Sequence, residues 1–261
     1  AGLVMMAWAV QALRAVGSAP NRPVVFLVTA DEEVGSASAR PIIEACAKGA
    51  AYALVLEPAG PGGAVKTARK GVAQYRLIVT GRSAHAGNDF WRGINANVAL
   101  AEVLLAVHAL SDRESGTTVN VGVMGGGTRP NVVAERAWAD VDVRFATRSE
   151  AERIDRAMRS LQAGGGARLE VSGGVNRWPL ERQASAALYE QARGLAAELG
   201  LELGEAQVGG GSDGNITAEL GVPTLDGLGP DGDGAHSASE YVYVPSLPLR
   251  TAFLARLLET L

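Results

Sequence analysis

The segment PVVFLVTADEEVGS, Pro23–Ser36, gives the first indication of the fold class, because three adjacent acids closely follow a continuous apolar run. The run PVVFLVTA, Pro23–Ala30, is apolar and rich in β-branched residues, which predicts a strand buried on both faces of a parallel sheet. A short helix ending at Gly49 and a second apolar run, AYALVLEP at Ala51–Pro58, complete a predicted βαβ unit with a right-handed crossover. This part of the chain is therefore expected to form a doubly wound α/β sheet.

The acids Asp31, Glu32 and Glu33 follow the first predicted strand, and Glu57 ends the second. Adjacent carboxylates repel one another, so taken alone the three acids are most simply explained as a solvated turn. Open α/β sheets place their sites at the carboxyl ends of neighbouring strands, where these acids and Glu57 are expected to meet. Carboxylates together with an imidazole suit zinc, manganese or cobalt, so a metal site is the functional interpretation.

Two histidines are candidates for the same chemistry. His236 lies in GDGAHSASEYV, Gly232–Val242, after a short apolar strand at the same sheet edge, and is a candidate ligand unless it is merely exposed. His85 lies in GRSAHAG, Gly81–Gly87, and is either a loop histidine or a hydrogen-bond donor to a developing oxyanion. His108 falls inside a predicted helix and is interpreted as structural.

The hydrophobic pattern changes after Gly71, where alternating strands and two helices follow in the order β-α-β-β-α-β. This order predicts an inserted ferredoxin-like α+β domain at residues 70–175. Residues 1–69 and 176–261 then form one interrupted domain with a mixed, doubly wound sheet. Helices are expected at Ala1–Val16 (covered on several sides), Asn95–Leu110, Ser185–Leu199 and Pro245–Leu261, with a further helix capped by Ser149.

Composition excludes several classes of protein. The net charge of −4 and pI near 5.5 argue against a nucleic-acid partner. No apolar stretch is long enough to cross a membrane, so no membrane partner is expected. The single cysteine, Cys46, excludes an internal disulfide and fits a reducing compartment, which favours a cytoplasmic location.

Two glycine-rich segments invite a nucleotide-binding interpretation that their context does not support. In GVMGGGTRPN, Gly122–Asn131, a proline and another strand follow where a dinucleotide loop needs a helix. GGGSDGN, Gly209–Asn215, opens a helix and is suited to an anion, but no Gly-Lys-Ser/Thr follows.

Several segments in a fixed order together resemble one enzyme family: TADEEVGS, LEPA, TARKG, GRSAHAG, GGTRPNVV, DVDVR, GGGSDGN and GAHSASEYV. The family is the dinuclear zinc family of glutamate carboxypeptidase, acetylornithine deacetylase, succinyl-diaminopimelate desuccinylase and aminoacylase. The Glu-Pro pair at Glu57 is most similar to the carboxypeptidase-like branch.

The resemblance implies a hydrolase that cleaves an amide bond of a peptide or N-acyl amino acid with a free carboxylate. Two divalent ions are implied, zinc foremost, with cobalt or manganese as alternatives. Glu32 matches the general base. Glu33 and His236 match ligands of one metal, and Glu57 matches a ligand of the other.

The inserted domain is implied to be a lid that also forms a homodimer. His85 matches a histidine that reaches into the partner subunit's site and polarises the scissile carbonyl. Asn131, Gly211 and Ser212 match substrate-contacting positions, and Arg177 is similar to an arginine that holds a substrate carboxylate.

The chain departs from the family in lacking the His-x-Asp motif and the bridging aspartate that precede a helix similar to AGLVMMAWAV. The resemblance therefore implies a catalytic domain without its N-terminal strands, part of a longer enzyme. Alone, such a chain is expected to bind metal weakly and be nearly inactive. The alternative is a catalytically dead remnant that acts as a dimerising binding module.

Overall fold

The computed structural model describes residues 1–261, and their backbone divides into two compact units. Unit 1 comprises Ala1–Lys70 with Pro179–Leu261, and unit 2 comprises Gly71–Trp178. The boundaries expected from the sequence lie after residues 69 and 175.

Helices and strands alternate through most of the chain. The α-helices are α1 (Gly2–Ala15), α2 (Arg40–Ala47), α3 (Ala96–His108), α4 (Arg148–Ser160), α5 (Arg182–Glu198), α6 (Gly214–Glu219) and α7 (Leu247–Thr260). The strands are β1 (Ala53–Leu54), β2 (Val65–Arg69), β3 (Gly71–Thr80), β4 (Thr118–Gly126), β5 (Arg136–Phe145), β6 (Arg168–Arg177), β7 (Glu205–Val208), β8 (Thr224–Leu225), β9 (Gly232–Asp233) and β10 (Tyr241–Val242).

Unit 2 has one antiparallel sheet in the order β4-β5-β3-β6. Its chain order, β3-α3-β4-β5-α4-β6, is the split βαβ arrangement that the alternating pattern indicates. Alternate residues of β3 and β5 are buried in a core shared with both helices, represented by Leu77, Val141, Leu100 and Ile154. The two helices therefore cover the same face of the sheet.

Helix caps in unit 2 follow from short polar side chains. Asn95 caps α3, because its side-chain oxygen accepts hydrogen bonds from the backbone amides of Asn97 and Val98. The expected cap at Ser149 is wrong: Thr147 caps α4 and accepts from the amide of Glu150. Ser149 lies one residue inside the helix, where its hydroxyl pairs with that of Thr147 at 3.0 Å.

Unit 1 is a mixed α/β structure built on short strand pairs. β1 pairs with β8 and β2 with β7, both in parallel, while β9 and β10 form an antiparallel hairpin. The expected helices correspond to α1, α2, α5 and α7. Its main core packs α5 and α7 against these strands through residues such as Leu188, Leu225 and Phe253.

The strand predicted at residues 23–30 is wrong. The segment forms no strand, and Val25, Phe26 and Val28 are 70%, 47% and 63% exposed. No neighbouring strand lies beside it to supply the hydrogen-bonded ladder that a buried strand requires. Unit 1 consequently has paired strands rather than one continuous doubly wound sheet.

Helix α1 is covered on one side only, against expectation. Met5, Ala9 and Leu13 are buried against α7, whereas Leu3 and Trp8 are well exposed.

None of the helices combines the length and apolar character that crossing a bilayer requires.

Candidate active site

The acidic segment Thr29–Ser36 is a compact loop in which the three acids have different surroundings. Glu32–Val34 form a single 3₁₀ turn that ends at Gly35, whose φ of 99° lies in the left-handed region. The side chain of Asp31 points toward the residues just before α2. Its carboxylate accepts hydrogen bonds from the hydroxyl and the amide of Ser38 at 2.7 and 2.8 Å. The hydroxyl bond from Ser38 is the main reason that the pKa of Asp31 is lowered. Asp31 therefore has a structural partner within the chain.

Glu33 lies close to His236, although the two residues are 203 positions (236 − 33) apart in the sequence. The Nε2 atom of His236 lies 3.9 Å from a carboxylate oxygen of Glu33, and the two side chains are 77% and 75% exposed. Two ligand atoms on one tetrahedral zinc lie about 3.4 Å apart, so a small side-chain rotation would bring both onto one ion. The separation is compatible with two ligands of one metal, and that role stays a prediction.

The β9–β10 hairpin places His236 at this position. The backbone of His236 has a φ of 63°, in the left-handed region that residues other than glycine seldom occupy. The turn is closed by Ser237, whose amide and hydroxyl both donate to the carbonyl of Gly234. The hairpin therefore fixes the direction in which the imidazole leaves the backbone.

Glu57 lies three residues after β1 and is half-buried. Its pKa is raised, first by burial and then by the charge of Asp226, while Arg69 and Lys66 act against this effect. Burial also lowers the pKa of Lys66. No group of three or more His, Cys, Asp or Glu side chains in residues 1–261 is arranged to hold a metal ion. The structure thus joins Glu33 to His236 but does not add Glu57 to that pair.

The loop Gly209–Asn215 is held by buried hydrogen bonds. The Ser212 hydroxyl donates to Asp226. The Ser212 backbone amide donates to Asn215 Oδ1 at 2.9 Å, and the Ser212 carbonyl accepts a hydrogen bond from the amide of Asn215. Asn215 in turn donates to the carbonyl of Lys70 at 3.2 Å. These contacts give Ser212 a structural role, while Gly211 is half-exposed beside it. Contact of either residue with a substrate stays a prediction.

A buried ion pair beneath this loop was not found from the sequence. Arg69 donates to both carboxylate oxygens of Asp226, at 2.7 and 3.0 Å, and the side chains are 5% and 0% exposed. The third guanidinium nitrogen donates to the carbonyl of Gly210 at 3.0 Å. The available signal was a charged residue at the end of each of two short segments, VKTAR and VPTLD, which does not identify the partner of either residue.

The remaining candidates belong to unit 2. His85 is exposed, and its Nδ1 accepts the amides of Gly87 and Asn88, both at 3.1 Å, so Nε2 is the atom that carries the proton of a neutral ring. Asn131 is adjacent, because its carbonyl accepts the amide of Ala86.

Arg177 lies elsewhere in unit 2. It is buried at the end of β6 and pairs with Val72, whereas the His85 loop follows the other end of β3 at Thr80. At 3.3 Å per residue, the eight steps from Val72 to Thr80 (80 − 72) span about 26 Å. The structure therefore groups His85 with Asn131 but not with Arg177.

A sequence model of a known family matches this chain almost from end to end. The family is described as peptidase family M20/M25/M40, and the match covers residues 1–260. The chain belongs to this peptidase family. The resemblance inferred from the ordered motifs is thereby confirmed at the level of the family.

Relatives of this M20 family chain include carboxypeptidase G2 from Pseudomonas sp. (strain RS-16), 30% identical over 248 residues. That match covers 91% of the chain and 59% of carboxypeptidase G2, so the chain spans less than two thirds of this relative's length. YqjE from Bacillus subtilis (strain 168), whose name gives no function, is 26% identical over 263 residues, covering 99% of the chain and 70% of that protein.

Solved structures with the same fold include aminopeptidase PepT from Bacillus cereus, with a TM-score of 0.78 and 25% identity. The similarity covers 99% of this chain and 69% of PepT. A dinuclear metal binding peptidase of the M20 family from Bacillus subtilis has a TM-score of 0.67 at 18% identity, covering 88% and 64% of the two chains. The latter likeness concerns the fold alone.

Proposed function

We propose that the whole protein containing this chain is a metal-dependent hydrolase of the carboxypeptidase type. Its substrate would be a peptide or N-acyl amino acid with a free carboxylate beside the scissile amide. The observation that carries the proposal is the approach of His236 to Glu33 at 3.9 Å, next to Glu32 in the same 3₁₀ turn. Family membership and the similarity to carboxypeptidase G2 support the same activity.

Glu33 and His236 would hold one divalent ion, and Glu57 would belong to the site of a second. Zinc fits this mixture of carboxylate and imidazole donors, as do cobalt and manganese. When bound, such ions supply Lewis-acid chemistry and lower the pKa of a coordinated water. A dinuclear metal binding peptidase with the same fold supports the number of ions.

Glu32 is the proposed general base. It is adjacent to Glu33, so its carboxylate is delivered to the same edge of unit 1 by the same turn. Glu32 would accept the proton of the attacking water and return it to the leaving amine, which is ordinary general acid–base catalysis by a carboxylate. A tetrahedral intermediate formed in this way needs no covalent bond to the enzyme.

The remaining metal ligands are proposed to come from a part of the whole protein outside this chain. Two observations support this proposal: the chain spans 59% of carboxypeptidase G2, and the apolar segment at residues 23–30 lacks a strand partner. The incomplete ligand set also predicts that this chain alone binds metal weakly and hydrolyses substrate very slowly.

Unit 2 is proposed to act as a lid and to form a homodimer. Its sheet ends in the edge strand β4, which exposes Val123 and Met124, and Leu105 of α3 is 73% exposed. His85, with its proton on Nε2, would donate to the developing oxyanion in the partner's site. Asn131 would contact the same substrate, and Arg177 is retained as a candidate for its carboxylate.

The test uses the whole protein with zinc, cobalt or manganese and a panel of dipeptides and N-acyl amino acids. Glu32→Gln should lower kcat by about 10²- to 10⁴-fold, as the loss of a general base does. His236→Ala should release bound metal. Glu202→Gln is the matched control, because Glu202 is an exposed acid in the segment between α5 and β7. Unchanged hydrolysis in strong chelator would refute the proposal.

A second candidate function is a catalytically dead, dimerising binding module. The absence of a complete metal site in residues 1–261 favours it. The two candidates differ in metal content: the hydrolase should bind two divalent ions per subunit in the whole protein, and the binding module should bind none.

A further inference from the structure

One carboxylate closes the acidic loop at both of its ends. Thr29 and Ser36 flank the segment that carries Asp31, Glu32 and Glu33. The hydroxyl of Thr29 donates to Oδ2 of Asp213 at 2.9 Å, and the hydroxyl of Ser36 donates to Oδ1 of the same side chain. Asp213 therefore fixes the distance between the two ends of the loop.

The end at Ser36 is ordered more strongly than an ordinary surface turn. Ser36 is fully buried and has a φ of 55°, a left-handed conformation that is uncommon for serine. Its amide donates to the carbonyl of Asp31 at 2.8 Å, and its carbonyl accepts the amide of Arg40 in α2. The bond to Asp213 thus acts on a residue whose backbone conformation must be maintained by its surroundings.

The residues on either side of Asp213 are held by buried hydrogen bonds. The preceding residue, Ser212, donates to Asp226, whose carboxylate is held by Arg69. Two residues further on, Asn215 is buried and donates to the carbonyl of Lys70. Hydrogen bonds to the buried ion pair and to Lys70 therefore hold Ser212 and Asn215, which lie on either side of Asp213.

We propose that Asp213 is a positioning residue for the general base Glu32 and the ligand Glu33, acting through the hydroxyls of Thr29 and Ser36. The inference rests on the proposed function, which assigns the roles of Glu32 and Glu33. It adds that the aspartate of GGGSDGN acts on catalysis without touching the substrate.

The experiment compares Asp213→Ala and Asp213→Asn with the wild type in the whole protein loaded with zinc. A displacement of about 1 Å at a reacting group can cost on the order of 100-fold in rate, so kcat should fall by about 10- to 100-fold in Asp213→Ala while KM changes much less. Asp213→Asn should recover part of the loss, because its amide oxygen still accepts one of the two hydroxyls. Zinc affinity should fall in the same order, because Glu33 lies in the loop.

A coupling measurement separates positioning from a general loss of structure. In the background Thr29→Val/Ser36→Ala, the hydroxyls are absent, so Asp213→Ala should reduce kcat by less than about threefold further. Asp140→Asn changes a half-exposed aspartate of unit 2, so it is the charge-matched control and should leave kcat and zinc affinity unchanged. Far-UV circular dichroism and the melting temperature establish that each variant is folded.

The two proposals fail in different ways. If the wild type hydrolyses the panel and a folded Asp213→Ala retains wild-type kcat and zinc affinity, the positioning role is overturned and the hydrolase stands. Equal losses with and without the two hydroxyls would also overturn it. If the wild type hydrolyses nothing, the proposed function fails, and zinc affinity alone decides the role of Asp213: a lower affinity in Asp213→Ala supports it, and an unchanged affinity refutes it.

Discussion

Asp226→Asn is the substitution from which we expect the largest loss of stability in unit 1. Asp226 is fully buried and each of its oxygens accepts two bonds, one of which comes from Arg69. The other donors are the hydroxyl of Ser212 on Oδ2 and the amide of Gly227 on Oδ1. An asparagine amide has one accepting atom, so either orientation turns an NH₂ group toward donors and leaves the guanidinium without a counter-charge.

The magnitude follows from the burial of the pair. Removing one partner of a buried ion pair costs about 3–5 kcal/mol, because the other charge is left uncompensated in a poorly solvated site. For a chain of this size, each 1 kcal/mol moves the melting temperature by about 2–4 °C, so a decrease of roughly 10 °C is expected. Replacing both partners, in Arg69→Met/Asp226→Leu, should cost less than Asp226→Asn, because no unpaired charge remains.

The assay is thermal unfolding followed by circular dichroism, with Asp140→Asn as the control. Asp140 pairs with Arg76 at 3.3 Å, but both side chains are more than 40% exposed. Exposed pairs contribute about 0–1 kcal/mol, so the control should melt within a few degrees of the wild type. Equal decreases for Asp226→Asn and Asp140→Asn would refute the argument that burial makes the pair at Arg69 decisive.

Three further predictions concern unit 2. Hydrogen bonding from Arg153 lowers the pKa of Glu150 from 4.5 to about 2, so its stabilisation is complete above pH 4.5 and is lost as the pH falls toward 2. Melting temperatures of the wild type and Glu150→Gln should therefore converge in acid. Burial raises the pKa of Tyr75 well above 10, so its stabilisation is present below pH 10 and declines as the pH rises further, and ultraviolet titration should show Tyr75 ionising only when the protein unfolds. Leu100→Ala should lower the free energy of unfolding, measured in urea, by about 2–5 kcal/mol because Leu100 is 1% exposed, and a loss under about 1 kcal/mol would contradict the burial argument.

The sequence predicted unit 2 better than unit 1 for a physical reason. In unit 2 every strand has a neighbour within the same stretch of chain, so the alternation of buried and exposed residues identifies both the strand and its core face. The run Val24–Val28 has the composition of a buried strand, but composition does not supply a partner. It is exposed here because a ladder needs a second strand.

The proximity of Glu33 and His236 was predicted, although the strand from which it was inferred does not form at residues 23–30. The sequence placed Glu33 and His236 at one edge, and the structure brings them to 3.9 Å. It did not identify the Arg69–Asp226 pair, because a charge at the end of a short segment does not reveal its partner. The hydrogen bonds that Thr29 and Ser36 donate to Asp213 could not be predicted either, because they join groups more than 170 residues apart in the sequence.

Three consecutive acids persist in this loop because the structure gives them separate surroundings. Asp31 is directed toward Ser38 and the start of α2, where hydrogen bonds stabilise its charge. Glu33 points toward His236 on the hairpin. A fourth carboxylate, Asp213, closes this loop and accepts hydrogen bonds from the hydroxyls of Thr29 and Ser36. Hydrogen-bond donors around Asp31 and Asp213 therefore offset the repulsion among the neighbouring carboxylates. Glu33 and Glu32 are the acids to which the proposed hydrolase assigns a metal and a water.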